Sequence, residues 1–74
     1  MSERRDGSYW RKMRIRQIRE EIAKHMPNGV PVEKMLLWIQ VEMGLTRKKA
    51  EEYLKLAVES GDFAIRDGKI VPLT

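Results

Sequence analysis

Apolar positions along this chain recur on a helical period in three stretches, then give way to a short strand-like pattern near the end. After Arg47, Ala50, Tyr53, Leu54, Ala57 and Val58 stand at i, i+3, i+4, i+7 and i+8, one stripe along a helix. Thr46 precedes the run and can cap it by accepting a hydrogen bond from a free backbone N–H. Gly61 follows Ser60 and can close the helix in the left-handed conformation. Phe63-Ala64-Ile65-Arg66 and Lys69-Ile70-Val71 then flank Asp67-Gly68. A two-residue type I′ turn needs positive φ twice, so this pair predicts a hairpin.

Upstream, Ile15, Ile18, Ile22 and Met26, flanked by Ala23, predict a first helix from about Trp10 or Arg11 to about Met26. The pairs Arg16–Glu20, Glu20–Lys24 and Glu21–His25 are spaced to support it at i,i+4. Pro27-Asn28-Gly29 stops this helix, and Val30-Pro31 is extended because the residue before proline avoids the helical region. A second helix is expected from about Val32 to Met43, ended by Gly44, with Leu45 plugging the turn that follows. Its core stripe is Val32, Met35, Leu36, Ile39 and Met43. Leu37, Trp38 and Val41 form a separate apolar arc on roughly the opposite side. Residues 1–8 show no periodicity and read as a flexible basic arm, with Tyr9 and Trp10 as the first side chains able to cap the core; residues 9–74 form the domain. The expected core joins Ile15, Ile18, Ile22, Leu36, Ile39, Tyr53, Leu54, Ala57 and Ile65.

A chain of 74 residues has room for one such core and little for a deep substrate cleft. Cysteine is absent, which excludes disulfides and thiolate metal sites. No apolar run approaches a membrane span, and the N-terminus lacks a signal peptide's apolar segment, so a cytoplasmic location is the expectation. Charged residues make up 35%, while Asn occurs once and Gln twice, a balance that fits a thermophilic source. The net charge of +4 is unevenly spread: residues 1–26 hold eight Lys/Arg against four acidic residues, and residues 27–74 hold seven of each. The whole excess therefore lies in the arm and first helix, which suggests an anionic partner approached from that side.

The segments Val30-Pro31-Val32-Glu33-Lys34-Met35-Leu36, Gly44-Leu45-Thr46-Arg47-Lys48-Lys49-Ala50-Glu51-Glu52-Tyr53-Leu54-Lys55-Leu56, Ser60-Gly61-Asp62-Phe63 and Asp67-Gly68-Lys69-Ile70 together resemble the small winged helix-turn-helix proteins common in archaea. The resemblance spans Ile15 to Leu73. It implies a mainly α fold of three helices plus a C-terminal two-stranded antiparallel wing. The third helix would be the recognition helix, and the segment around Val30 would add a third short strand. Such proteins include repressors, replication modules and protein-binding domains, so the resemblance informs fold more than function.

Arg47, Lys48 and Lys49 carry the sharpest candidate chemistry. Three cations in a helix's first turn oppose the helix dipole, and phosphate contact at the free N–H groups after Thr46 would explain them. A solvated turn with a Lys48–Glu52 pair is the plainer alternative. Lys55 is one turn or two further on, among Glu51, Glu52 and Glu59, where Glu51–Lys55 and Lys55–Glu59 pairing is sufficient explanation. Arg66 and Lys69 could touch phosphates from the hairpin. Arg4, Arg5, Arg11, Lys12, Arg14 and Arg16 would add sequence-independent attraction.

Leu37, Trp38 and Val41 point instead to a homodimer or protein partner. His25 stands alone, no catalytic constellation is visible, and neither metal, cofactor, small-molecule substrate nor enzyme activity is expected. The expectation is a nucleic-acid-binding protein, on double-stranded DNA as a homodimer, in transcription regulation or chromosome-associated work. A protein-binding subunit of a larger complex and a ribosome- or RNA-associated basic protein remain open.

Overall fold

The computed structural model describes residues 7–73; Arg4 and Arg5 fall outside them. Three helices and three short strands follow in the order α1 (Gly7–Ala23), β1 (Val30–Pro31), α2 (Val32–Met43), α3 (Arg47–Ser60), β2 (Phe63–Arg66) and β3 (Lys69–Pro72). The strands form one antiparallel sheet in the order β1-β3-β2, so the hairpin has a third strand on its β3 edge. Val30 pairs with Ile70, and Ile70 pairs in turn with Ile65 on the other side.

Two helix boundaries follow local chemistry closely. α2 runs between the expected limits and closes at Gly44, which is left-handed at φ 66°. α3 starts after Thr46, whose Oγ1 accepts from the Lys49 N–H at 3.3 Å. The hairpin also turns as expected, with positive φ at both Asp67 (52°) and Gly68 (76°).

α1 departs from expectation at both ends. It already includes Gly7 and Ser8, expected in the arm, and its α-helical part stops at Ala23 rather than Met26. Past Ala23 the backbone tightens: Lys24, His25 and Met26 donate to the carbonyls of Glu21, Ile22 and Ala23, three residues back rather than four. Tyr9 and Trp10 do not cap the core. Both are exposed on the first turns of α1, with their rings edge-to-face at a centroid separation of 5.1 Å. Ala23 is exposed as well.

Gly61 is a further correction, because its φ of −118° is not left-handed. Positive φ falls on Asp62 (60°) instead. Glycine is required at 61 for space, since a Cβ there would stand 2.8 Å from both the Ala57 carbonyl oxygen and Arg19 Cδ. Gly29 is required twice over, by a φ of +97° and by the Ile70 carbonyl oxygen 2.9 Å from any Cβ. That close approach lets β1 lie against β3.

The core draws on every element except β2: Ile18 and Ile22 from α1, Val30 from β1, Met35, Leu36 and Ile39 from α2, Ala50, Leu54, Ala57 and Val58 from α3, and Ile70 from β3. Ile15, Met26, Val32, Trp38, Met43, Leu45, Tyr53 and Phe63 pack around it, half-buried. No polar side chain is buried among the described residues, so burial here is apolar transfer without desolvated polar groups.

Ile65, expected in the core, is 49% exposed. Its register opposite Ile70 puts it on the core face of the sheet. β2 is an edge strand, however, and the helices do not extend over it far enough to cover Ile65. Ile70→Ala and Leu54→Ala should each cost about 2–5 kcal/mol, while Ile65→Ala should cost under about 1 kcal/mol. Urea midpoints at unchanged m-value measure this, and equal losses at positions 65 and 70 would refute the edge assignment.

Candidate nucleic-acid interface

The start of α3 is built by capping and by a cross-helix ion cluster. Arg47 Nη1 and Nη2 donate to Glu33 Oε1 and Oε2 at 2.9 and 2.8 Å, a two-pronged pairing with the first turn of α2. Arg47 Nε also donates to Glu51 Oε2 at 3.1 Å. The hydrogen bonds from Arg47 hold the Glu33 carboxyl below the usual carboxylate range, and the two carboxylates raise the Arg47 pKa further. The cation that opposes the dipole at this helix start therefore has protein partners on two sides. Glu33 meanwhile sits in the first turn of α2, where its charge suits the helix dipole.

Lys49 Nζ lies 3.4 Å from Glu52 Oε1. The anticipated Lys48–Glu52, Glu51–Lys55 and Lys55–Glu59 pairs are not formed, and neither Lys48 nor Lys55 has a carboxylate within pairing distance among the described residues. Of the three cations opening α3, Lys48 alone is left to solvent. At the hairpin, Arg66 and Lys69 are exposed and directly opposite one another in register. Like charges so placed are unfavourable in isolation, and an anion between them would relieve the repulsion.

A second cationic surface lies between α1 and α3. One depression is lined by Arg11, Lys49, Glu52, Tyr53, Lys55, Leu56 and Glu59. A second, lined by Lys12, Ile15, Arg16, Arg19, Leu56 and Ser60, shares Leu56 with it. Together they make a shallow trough with the exposed Leu56 on its floor. Arg16 is tied to Glu20 at 3.4 Å and Arg19 donates to Ser60 Oγ at 3.3 Å. Arg11, Lys12 and Arg14 have no carboxylate partner among the described residues. Leu56 and Arg19 were not singled out from the sequence. The signal was present, since Lys12, Arg16 and Arg19 stand at i, i+4 and i+7 on one face of α1.

On its other flank α3 borders a groove whose floor is Val32, Leu36, Leu54, Val58 and Ile65 and whose rim carries Glu33, Arg47, Glu51, Lys55 and Glu59. That mixture of charges gives phosphate no net attraction. On α2, Leu37 (61%) and Val41 (69%) are exposed, whereas Trp38 is half-buried against the core and shares only part of that apolar arc. His25 Nε2 lies 3.6 Å from Glu21, and no group of three metal-ligating side chains gathers among the described residues. No described helix is long and apolar enough to cross a membrane.

Comparison with protein-family models, curated proteins and solved structures gives no match.

The Glu33–Arg47 pairing has a titration signature. Because the folded-state pKa of Glu33 is lowered, its contribution to stability is present above the unfolded value and is lost as pH falls through the folded one. Arg47→Ala should move the Glu33 midpoint up toward the ordinary range in a carboxyl-carbon NMR titration. An unmoved midpoint would show that the pair does not persist in solution.

Proposed function

We propose that the chain is a winged-helix nucleic-acid-binding module, without enzymatic activity, that docks on double-stranded DNA in transcription regulation or a chromosome-associated role. The element order and the small sheet are compatible with that fold. The observation that carries the reading is the trough between α1 and α3. It collects Arg11, Lys12, Arg16 and Arg19 of α1, from the part of the chain that holds the net positive charge, beside Lys49 and Lys55 of α3. Phosphate contact would fall to Arg11, Lys12, Arg14 and Lys48, with Arg66 and Lys69 from the hairpin. Arg47, expected to dock together with Lys48 and Lys49, would instead hold α3 against α2.

A second reading, a protein-binding subunit of a larger complex, is favoured by the outward exposure of Leu37 and Val41. The two readings respond differently to salt. Phosphate binding releases counterions and weakens steeply as salt rises, while apolar docking does not.

Duplex binding measured across salt concentrations is the test, with structured RNA run in parallel. Arg11→Ala/Lys12→Ala should weaken binding and lower the salt slope by about two, one for each phosphate no longer neutralised. Arg47→Ala should leave the slope nearly unchanged. Equal binding by wild type and the double variant at every salt concentration would overturn the reading, and a preference for RNA would replace duplex DNA as the partner.

A further inference from the structure

Two of the three charges on α2, Lys34 and Glu42, stand against its dipole, while Glu33 suits it. Lys34 stands in the first turn, where an anion is favoured, and Glu42 stands in the last, where a cation is favoured and none is present. Neither lies within pairing distance of an opposite charge among the described residues. Glu42 lines a cleft with Trp38, Glu20, Glu21 and Lys24, and Lys24 is already engaged with Glu21 at 3.3 Å. The cleft is short of a cation.

Between these two charges runs the apolar ridge of Leu37 and Val41, one turn apart and pointing away from the core stripe. At about 100° per residue, Lys34, Trp38 and Glu42 all fall on the same flank of that ridge.

We propose that this face is a self-complementary dimer surface, on which α2 packs antiparallel to α2 of a second copy. A two-fold axis level with Ile39 sets Leu37 opposite Val41 of the second copy, and the reverse. The same axis brings Lys34 beside Glu42 of the second copy and beside the carbonyl end of its α2, twice over. Each misplaced charge then has both an opposite charge and the correct end of a helix dipole. The two Trp38 side chains meet next to the axis, closing the edge that the core leaves open.

α2 has 12 residues and so offers a contact about 18 Å long, smaller than a standard interface of about 800 Å² per partner. The dimer is accordingly weak and concentration-dependent. It is measured without nucleic acid, so its outcome is separate from that of the DNA reading.

Sedimentation equilibrium of the full chain over a wide concentration range tests the proposal, with circular dichroism confirming that each variant folds. Wild type should dimerise, and Leu37→Asp should remain monomeric. Lys34→Glu and Glu42→Lys, both at exposed positions, should each weaken association by about tenfold, because each sets like charges face to face twice. Lys34→Glu/Glu42→Lys should restore it to within about threefold of wild type. Wild type still monomeric at about 1 mM, an assembly larger than a dimer, single variants that dimerise as wild type does, or a double variant as weak as the singles would each overturn the proposal.

Discussion

Every layer of this domain leans on one helix. α1, α2 and β2 all pack on α3, whose buried stripe of Ala50, Leu54, Ala57 and Val58 supplies four of the core side chains. Two of the four are alanines, both without exposure and two turns apart, so neighbouring elements can approach closely along that line. A chain this short has few apolar side chains to spare. It meets the constraint by surrounding α3 on three sides and leaving it one solvent-facing ridge, Lys48, Glu51, Glu52, Lys55 and Glu59. What α3 can offer a partner is fixed by that ridge and by the grooves on its two flanks.

The sequence was most legible where structure is decided within a few residues. Thr46 caps, Gly44 closes α2, and Asp67-Gly68 turns the hairpin, because each depends on one side chain or one pair of φ angles. It was less legible where the deciding group lies elsewhere in the chain. Gly61 looked like a left-handed helix end, yet the need for glycine comes from Arg19 and the Ala57 carbonyl crowding the same spot. Ile65 has the residue type and register of a core position, but only the extent of the helices over an edge strand decides its cover. At the end of α1 the apolar spacing continues to Met26 while the hydrogen bonding shifts from four residues to three. A stripe of side chains cannot report that change.

The candidate site shows the same division. That cations open α3 is plain in the sequence, but which carboxylate takes each one is a tertiary fact. Glu33 lies 14 residues before Arg47, and only the meeting of two helix starts brings them within 2.8 Å. Local spacing also failed to choose among near neighbours: Glu52 pairs with Lys49 rather than Lys48, and Lys24 with Glu21 rather than Glu20. The i,i+3 and i,i+4 options differ by only a few tenths of a kcal/mol, less than a small rotation of the helix face can change.

These pairings divide the surface in a way that composition alone did not show. α1 turns Lys12, Arg16 and Arg19 toward the α3 side and Gln17, Glu20, Glu21 and Lys24 toward Trp38 and Glu42 of α2. One helix thus borders a cationic trough on one side and an acid-rich cleft beside an apolar ridge on the other. The two surfaces meet over the back of α1, where Arg16 of the trough pairs with Glu20 of the cleft at 3.4 Å. The exposed Leu37 and Val41 of α2 share no residue with the lining of the trough, so a partner covering them would leave the trough open. The proposed phosphate-docking trough and the proposed dimer face therefore do not compete for the same side chains, and salt would weaken the first more steeply than the second.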